Sequence, residues 1–587
     1  MLNSIFREKS RLMTLSLILV LAASFFACKK EDLNIGVKST NKISSSKLFV
    51  LNGPSPYTAG TDITAILQSE VDRQKDILIP NGIYFISKPI LKNGGTVNIL
   101  SDGAVLQMMP SFPSGKKDLS AAFVFTNLLS ARVEGLTIDG NRANLVNAGN
   151  NWLNFIMGME ISGCENVTLQ NCGIINAPSI SFNITNSNHI ILNKCSSVNG
   201  MYHGVALQNC TYARVDSSKV VGIGNQGTDS RKGGIGILGI GGEYLTFTNN
   251  QIDNSSDTGT KTEGSNHVVW ESNTIKNCGK DGIKFQNLIA GENPGVTSNL
   301  EFVSDAKIKN NTIDQIYNGR SDGSSLIQLW NAHDVEVTGN NLSGGSKFGQ
   351  EDGICVWSNT AVNAANILVS GNVIKNTNRF IYLSKVSNAT ISQNNCENLV
   401  APKSAFDGLS VEFSDDITIT NNLFRRSATG SIDGFAAKMY QTTNFLLQNN
   451  QLQNAYHGLA LRLETSASAA VIDNQMSNFS SYAVTVYSAT PETVLNTLNL
   501  TGNTISKVGT ASGYNAVITV DPTNLKINTI DLSNTKIIGN ATYGDVALEV
   551  KASTKKVDVL NLTGFSVSGN VFYPATVDLT ACQTIIN

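Results

Sequence analysis

The sequence predicts an all-β solenoid of short parallel strands, and three observations support this fold class. A short strand that ends in Asn recurs along the chain, most often every 22 to 32 residues. Upstream of many of these strands lies a second kind of strand, which begins with a polar residue followed by Gly. No amphipathic segment of ten residues recurs, which argues against a helical solenoid, and a β-propeller needs periods of about 40 residues or more.

Each period is predicted to be one coil of about three short strands. Apolar residues alternate within the strands, which puts one row of side chains inside. Asn recurs at the turn because it tolerates a left-handed backbone and can hydrogen-bond to the Asn of the next coil. The predicted turn positions are Asn171, Asn193, Asn249, Asn273, Asn310, Asn340, Asn372, Asn394, Asn421, Asn449, Asn474, Asn503 and Asn534. The Gly-marked strands begin at His203, Asp281, Asp352, Asp407, Asp433 and His457.

The solenoid is predicted to start with a cap. Residues 61–71 are expected to form a helix that Thr61 or Asp62 can cap, with its apolar residues on one face. Residues 77–86 follow as a hairpin with a tight Pro-Asn-Gly turn. Such a block can cover the open end of a solenoid, whose first coil exposes unpaired backbone. We therefore assign residues 51–110 to the cap and first coils, and residues 111–587 to the parallel β-helix.

The N-terminus is predicted to be an export signal. Three basic residues precede an apolar run at 15–26, which is too short to span a membrane comfortably. The run is followed by Ala27 and Cys28, which resemble a bacterial lipobox, and then by KKED, which resembles the export signal of Bacteroidota surface lipoproteins. We expect residues 1–27 to be a lipoprotein signal peptide, Cys28 to be lipidated, and residues 28–50 to be a flexible tether. The resemblance implies an exported lipoprotein at the outer membrane or cell surface; the alternative is an ordinary cleaved secretory signal.

Charge and cysteine content narrow the possible partners. The 587 residues carry a formal net charge of −2, so no basic excess indicates nucleic acid binding. Of the eight cysteines after Cys28, none has metal-ligand spacing. Cys172 and Cys195 are 23 residues apart and are predicted to stack on adjacent coils. Because neighbouring coils lie about 4.8 Å apart, the pair can be a disulfide or two buried thiols.

One outer face of the solenoid is predicted to carry the function. Lys261 and Lys284 are 23 residues apart, so they should stand one above the other on adjacent coils. Alignment of the coils by their inward apolar residues predicts the outward pairs Ala206/Gln208, Lys261/Glu263, Lys284/Gln286, Gln328/Trp330, Cys355/Trp357, Tyr382/Ser384 and Ser410/Glu412, followed by Lys438 and Arg462. The band from Lys261 to Tyr382 is about 25 Å long, charged at one end and aromatic at the other.

This band suits a polysaccharide groove. Aromatic rings can stack on sugar rings, and amides can hydrogen-bond to hydroxyl groups. The predicted substrate-binding residues are Gln208, Gln286, Gln328, Trp330, Trp357 and Tyr382. The alternative is that the tryptophans pack under loops such as 290–303 or 360–365.

Two turns resemble those of a known superfamily. Residues 79–84, IPNGIY, resemble the turn of the N-terminal cap in the pectate-lyase-like superfamily, and residues 139–142, DGNR, resemble its DGN turn. With the repeats, these turns make residues 51–587 similar to the right-handed parallel β-helix of that superfamily. The resemblance implies the fold and leaves the activity open, because the superfamily holds lyases, hydrolases, epimerases and non-catalytic adhesins.

The polar residues near the lysines suit the cleavage of an acidic glycan. In β-elimination a base removes the proton beside a uronate carboxylate, whose charge is often neutralised by calcium. Lys284 and Lys261 are the candidate bases, because a second cation nearby lowers the pKa of a lysine. His203 and Arg379 are the candidate proton donor and charge clamp. The candidates for holding calcium or steering the substrate are Asp257, Glu263 and Asp281.

The leading prediction is a surface-anchored enzyme that degrades an acidic, uronate-containing polysaccharide as a lyase. A glycoside hydrolase of the same fold is the second possibility, with Glu263 and either Asp257 or Asp281 as its two carboxyl groups. A non-catalytic glycan-binding or adhesive lipoprotein is the third. In the simplest interpretation, Asp281 only caps its Asp-Gly turn and Lys284 is a solvated surface charge.

Overall fold

Three parallel sheets wind into a right-handed β-helix, and each coil contributes one strand to each sheet. The computed structural model describes residues 56–73, 76–113, 120–145, 156–224, 233–288, 302–314, 324–345, 351–398, 407–426, 434–463, 468–488, 493–508, 516–540, 546–551, 557–570, 576–577 and 582–586. The predicted signal peptide, Cys28 and the tether lie outside these residues. The fold class predicted from the sequence is confirmed.

The sheets are named A, B and C in the order in which the chain visits them. Sheet A contains Asp76–Ile79, Thr96–Ser101, Ser130–Glu134, Glu165–Gln170, Asn188–Asn193, Thr211–Asp216, Glu243–Thr248, Asn266–Glu271, Val303–Lys309, Ala332–Thr338, Ala364–Ser370, Val386–Ser392, Asp415–Thr420, Thr443–Gln448, Ser468–Ile472, Thr493–Asn499, Leu525–Asp531, Val557–Asn561 and Cys582–Ile586. Sheet B contains Ile83–Ile86, Val105–Met108, Thr137–Asp139, Gly173–Ile175, Ser196–Val198, Lys219–Ile223, Gln251–Ser255, Thr274–Lys276, Thr312–Asp314, Asn341–Ser343, Val373–Lys375, Asn395–Glu397, Leu423–Arg425, Gln451–Ala455, Gln475–Phe479, Thr504–Val508, Lys536–Asn540 and Ser566–Asn570. Sheet C contains Ile90–Asn93, Ser120–Thr126, Ile156–Ser162, Phe182–Thr185, His203–Gln208, Ile235–Ile240, Thr260–Glu263, Ile283–Gln286, Ser324–Trp330, Glu351–Trp357, Arg379–Ser384, Leu409–Glu412, Phe435–Tyr440, His457–Arg462, Val484–Tyr487, Ala516–Val520, Val546–Val550 and Thr576–Val577.

The core is a stack of identical positions from coil to coil. Ile283, Ile327 and Ile354 are hydrogen-bonded neighbours in register, and each is fully buried. Burial of one such side chain contributes about 1.5–3 kcal/mol, so the stack is the main source of stability. The largest fully buried side chain, Trp270, packs edge-on against Phe285 with 5.7 Å between ring centres. The outer faces of the sheets carry polar residues, including the candidate functional residues.

An asparagine ladder runs along the turn between sheets A and B. In each step the backbone N–H and the side-chain amide of one Asn both donate to the side-chain oxygen of the next, as Asn340 does to Asn372 at 2.9 Å. The ladder consists of Asn250, Asn273, Asn311, Asn340, Asn372, Asn394, Asn422, Asn450, Asn474 and Asn503. Each buried amide is therefore satisfied by its neighbours.

Two consecutive residues form each turn, although the sequence analysis assigned both roles to a single Asn. The first residue adopts the left-handed conformation, and the second points inward and joins the ladder. The predicted left-handed conformation is confirmed for Asn171, Asn249, Asn310, Asn421, Asn449 and Asn534, with φ of 52° to 57°, but the residue after each of them points inward, so the predicted bond to the Asn of the next coil was wrong there by one position. In the Asn193 turn the left-handed residue is Lys194. Cys172 and Cys195 occupy the same inward turn position in earlier coils, where they are buried free thiols on adjacent coils, as the thiol alternative predicts.

The N-terminal cap is a helix at Thr64–Asp72, close to the predicted span. Ile63 holds the N-cap position, and Asp62 accepts the Thr64 N–H at 2.9 Å. Gln68 from this helix pairs with the backbone of Leu91 in the first strand of sheet C, through two hydrogen bonds of 2.8 Å. The side chain thus imitates a missing strand and covers the open edge.

The predicted hairpin at residues 77–86 was wrong. Its two strands do not pair with each other; Asp76–Ile79 pairs with Thr96–Ser101 in sheet A, and Ile83–Ile86 pairs with Val105–Met108 in sheet B. The tight turn between them is a corner of the first coil. A 3-10 helix at Arg142–Asn144 follows the DGN turn. Among the residues described, no helix has the length and apolar character needed to cross a membrane.

Candidate functional site

The outer face of sheet C brings the predicted residues into two rows. Hydrogen-bonded register places Lys261 beside Lys284, and Lys284 beside Gln328. The first row continues through Cys355, Tyr382, Ser410 and Lys438. The second row contains Glu263, Gln286, Trp330, Trp357, Ser384, Glu412, Tyr440 and Arg462. Apart from Tyr440, these are the outward positions that the alternation of apolar residues predicted.

The sequence analysis overlooked one coil in this face. The strand Ile235–Ile240 lies between the strands of Gln208 and Lys261. Its outward residues, Leu238 and Ile240, are buried with Ile235 in a small apolar cluster. Gln208 is therefore three strands from Lys284 and lies apart from the lysines across an apolar patch.

Lys261 and Lys284 form the centre of the site, although they differ in their contacts. Lys261 makes an ion pair with Glu263, which also accepts a hydrogen bond of 2.9 Å from Gln286 Nε2. The Lys284 ammonium lies 4.9 Å from the centre of the Trp330 ring. Only 7% of Lys284 is exposed, and burial lowers its pKa; the charge of Lys261 lowers it further, while that of Asp281 opposes the shift. Lys284 is thus the better candidate for a neutral amine.

Asp281 lies two residues before the strand Ile283–Gln286, which carries Lys284, and is fully buried. Its Oδ1 accepts the Ser325 N–H at 3.0 Å, while Oδ2 has no hydrogen-bond partner. Burial raises the pKa of this carboxyl group, against the charge of Lys284. The bond from Ser325 is of the same kind as the one that Asp407 accepts from Phe435, so capping by Asp281 stays an alternative, and its charge also influences Lys284.

Calcium binding stays a prediction. Asp257 is half-buried and accepts a hydrogen bond from Thr258 Oγ1 at 3.2 Å. Glu263 forms an ion pair with Lys261, and the charge of Asp281 influences Lys284. In the described ranges no group of three His, Cys, Asp or Glu side chains is placed to hold a metal ion. These donors do not fit a protein-built calcium cage, for which six to eight oxygen ligands are usual.

His203 is the first residue of the strand His203–Gln208, which lies two strands before the strand of Lys261 in sheet C. It is 5% exposed, and its Nδ1 accepts the Ile235 N–H at 3.2 Å, so the ring proton sits on Nε2. Burial lowers the pKa of His203 to about 3, assisted by the positive charge of Lys261. At neutral pH this residue is a neutral imidazole, which limits the predicted role of proton donor to its Nε2–H group.

The aromatic residues contact each other and the basic residues. Trp330 and Trp357 stack with 4.5 Å between ring centres, and Lys284 lies over the other face of Trp330. Arg379 forms two hydrogen bonds with Asp352, of 2.7 and 2.8 Å, and lies 3.9 Å over the ring of Tyr382. Both faces of Trp330 and one face of Tyr382 are therefore occupied, so stacking of a sugar on Trp330 is blocked in this arrangement.

The sequence analysis missed Glu160 on this face, and it predicted the outward position of Lys438 without its ion pairs. Glu160, in the first row four strands before Lys261, is 3% exposed and accepts a hydrogen bond from Asn183. Farther along, Lys438 lies between Glu412 and Asp407, at 3.4 and 3.8 Å. The sequence around Glu160 could have indicated a buried charge, because in MGMEIS a charged residue stands among apolar ones.

Sequence comparison places the chain in a known family. Two matches to the family described as "Right handed beta helix region" cover residues 216–374 and 352–530, which together are more than half of the chain. The chain therefore belongs to the right-handed β-helix family. Residues 59–284 match a second family, described as "Rhamnogalacturonase A/epimerase, pectate lyase-like". The predicted likeness to pectate-lyase-like proteins is confirmed. No curated protein matches the sequence.

Solved structures share the fold at low identity. The pre-mature gene product 12 of bacteriophage phi29 aligns at a TM-score of 0.52 with 13% identity, over 90% of this chain and 71% of that one. A tailspike protein mutant of E. coli bacteriophage HK620, in complex with pentasaccharide, aligns at 0.44 with 13% identity, over 68% and 74%. The hyperthermoactive exopolygalacturonase from Thermotoga maritima aligns at 0.35 with 12% identity, over 58% and 84%. Identities this low show similarity of fold alone.

Proposed function

We propose that the protein cleaves a uronate-containing polysaccharide by β-elimination on the outer face of sheet C. The observation that carries the proposal is the pair Lys261 and Lys284, in register on adjacent strands, with the pKa of Lys284 lowered by burial. A general base works best when its pKa lies near the working pH. Burial and a second lysine nearby both shift the pKa of Lys284 downwards, towards the neutral amine that a base must be.

The reaction needs three actions from this site. The neutral amine of Lys284 removes the proton from the carbon beside the uronate carboxylate. The electron pair of that C–H bond forms a carbon–carbon double bond, and the 4-linked oxygen leaves and takes a proton from water. Lys261 faces the substrate carboxylate and stabilises the negative charge that develops there. Lys284 then releases its proton to solvent.

Hydrolysis by a carboxyl pair has less support in this site. Glu263 is held by Lys261 and Gln286, and Asp281 is fully buried. A hydrolase needs one carboxyl group to protonate the leaving oxygen and another to activate water, both in contact with the sugar. Binding without catalysis would not require a buried lysine beside a second lysine.

The test compares three forms of the protein on polyuronates. Lys284→Met should lower turnover by about 10²- to 10⁴-fold, which is the usual contribution of a general base, while glycan binding persists. Lys309→Met is the matched control, because Lys309 lies on the outer face of sheet A and pairs with Glu336. Turnover of Lys284→Met within a few-fold of the parent protein refutes the assignment.

We also propose that the protein is exported and held at the outer membrane by a lipid on Cys28. The support is the lipobox-like sequence at the end of the apolar run. Cys28→Ala should move the protein from the membrane fraction to the soluble fraction. Equal fractionation of the two forms would contradict the anchor.

A further inference from the structure

The phenol of Tyr202 lies beside the candidate site and has no role in the reaction proposed for Lys284. Tyr202 directly precedes His203, and 3.8 Å separate the centres of the two rings. Tyr202 is half-buried, whereas Lys284 is 7% exposed, so the phenol is the more accessible of the two groups. Its ring packs against a small apolar cluster of Ala121, Met157, Ile180 and Ala206.

Tyr202 and Asp257 lie on either side of a coil that places no side chain between them. Register aligns Tyr202 with Gly234, and Gly234 with Asp257, on three successive coils. Adjacent coils are about 4.8 Å apart, so the two backbones are about 10 Å apart with only a glycine between them. The Asp257 carboxylate extends back towards Tyr202, because a Cβ on Gly233 would overlap its Oδ2. The two side chains therefore face each other across Gly234, at the edge of the coil that carries Lys261.

The charges around the phenol favour its protonated form. Burial raises the pKa of Tyr202, and the charges of Asp257 and Glu263 raise it further. The phenol therefore carries its proton at neutral pH, which is the state that a general acid needs. Along the axis of the solenoid the order is Tyr202, Lys261 and Lys284. A uronate whose carboxylate contacts Lys261 would lie between the phenol and the amine of Lys284.

We infer that Tyr202 is a further catalytic residue, which donates its proton to the 4-linked oxygen as that oxygen leaves. The inference rests on the proposed function, in which Lys284 removes a proton from the same sugar. The electron pair of the broken C–H bond forms the double bond, the C–O bond breaks, and the leaving oxygen takes the phenol proton instead of one from water. The phenolate then regains a proton from solvent, to which Lys284 releases the one that it took, so both residues return to their starting states.

The experiment separates the loss of an acid from a change of structure. Tyr202→Phe keeps the ring and removes the hydroxyl group, so on polygalacturonate or alginate it should lower kcat by about 10²- to 10⁴-fold with KM little changed. The second substrate is a synthetic uronide with 4-nitrophenolate as the leaving group at C4, because this group leaves as an anion without a proton. On it Tyr202→Phe should lose less than about 10-fold, whereas Lys284→Met should lose activity on both substrates. Tyr212→Phe is the matched control, because Tyr212 is exposed on a strand of sheet A.

Two results would overturn the inference: turnover of the polymer by Tyr202→Phe within a few-fold of the parent protein, or equal losses on the two substrates. Urea unfolding of Tyr202→Phe checks that the variant keeps its fold. If the parent protein forms unsaturated ends and Tyr202→Phe forms them equally fast, the role of Tyr202 alone fails. If the parent protein forms no unsaturated ends, the proposed function fails and the role of Tyr202 fails with it.

Discussion

Replacement of Glu160 by Gln should stabilise the protein at pH 8 and leave its stability unchanged at pH 4.5. Burial raises the pKa of Glu160 from 4.5 to about 7, although the hydrogen bond from Asn183 opposes the shift. Because the folded-state pKa lies above the unfolded value, the charged carboxylate is disfavoured in the folded protein. The resulting loss of stability is absent below pH 4.5 and fully developed above pH 7.

The magnitude follows from the shift in pKa. A difference of about 2.5 units corresponds to about 3 kcal/mol, at 1.36 kcal/mol per unit. Gln stays neutral at every pH, and its carbonyl oxygen can still accept from the Asn183 amide. Glu160→Gln should therefore gain about 3 kcal/mol over the parent protein between pH 4.5 and pH 8.

Urea unfolding at the two pH values measures this gain, with tryptophan fluorescence as the readout and equal m-values as the condition for comparison. Glu165→Gln is the matched control, because it makes the same replacement at an exposed position on sheet A. A gain for Glu160→Gln that is the same at both pH values, or a loss at pH 8, would refute the assignment of a buried carboxyl group with a raised pKa.

Two further predictions concern the site and the turn ladder. Asp281→Asn removes a charge that raises the pKa of Lys284, so the rising limb of the pH–rate profile should move to lower pH. Lys261→Met removes a charge that lowers the pKa of Lys284, so the same limb should move to higher pH. Shifts of both variants in the same direction would contradict the coupling. Asn372→Ala leaves the Asn340 N–H and side-chain amide without their acceptor and should destabilise the protein by about 3–5 kcal/mol in urea unfolding, whereas a change under 1 kcal/mol would show that the ladder contributes little.

Much of the fold could be predicted because period-2 alternation and a recurring interval are local properties of the sequence. The 23-residue interval between Lys261 and Lys284 was enough to predict that they are neighbours across two strands. The coil at Ile235–Ile240 was overlooked because its strand, IGILGI, is apolar on both faces and has no polar residue before its Gly. Alternation carries no information when every position is apolar.

The pairings on the outer face could not be predicted from the sequence. Which of two lysines is ion-paired and which lies over a ring depends on rotamers and burial. Glu263 is bonded to Lys261, and Trp330 lies between Lys284 and Trp357; neither arrangement leaves a sequence signal.

The most direct test of the proposed reaction is the ratio of unsaturated uronate ends to new reducing ends, measured as ultraviolet absorbance and reducing sugar in the same digest of an unmodified polyuronate. Each elimination produces one unsaturated end and one reducing end, so the account predicts a ratio of one. Reducing ends that form without ultraviolet absorbance would give a ratio of zero and would contradict elimination by Lys284.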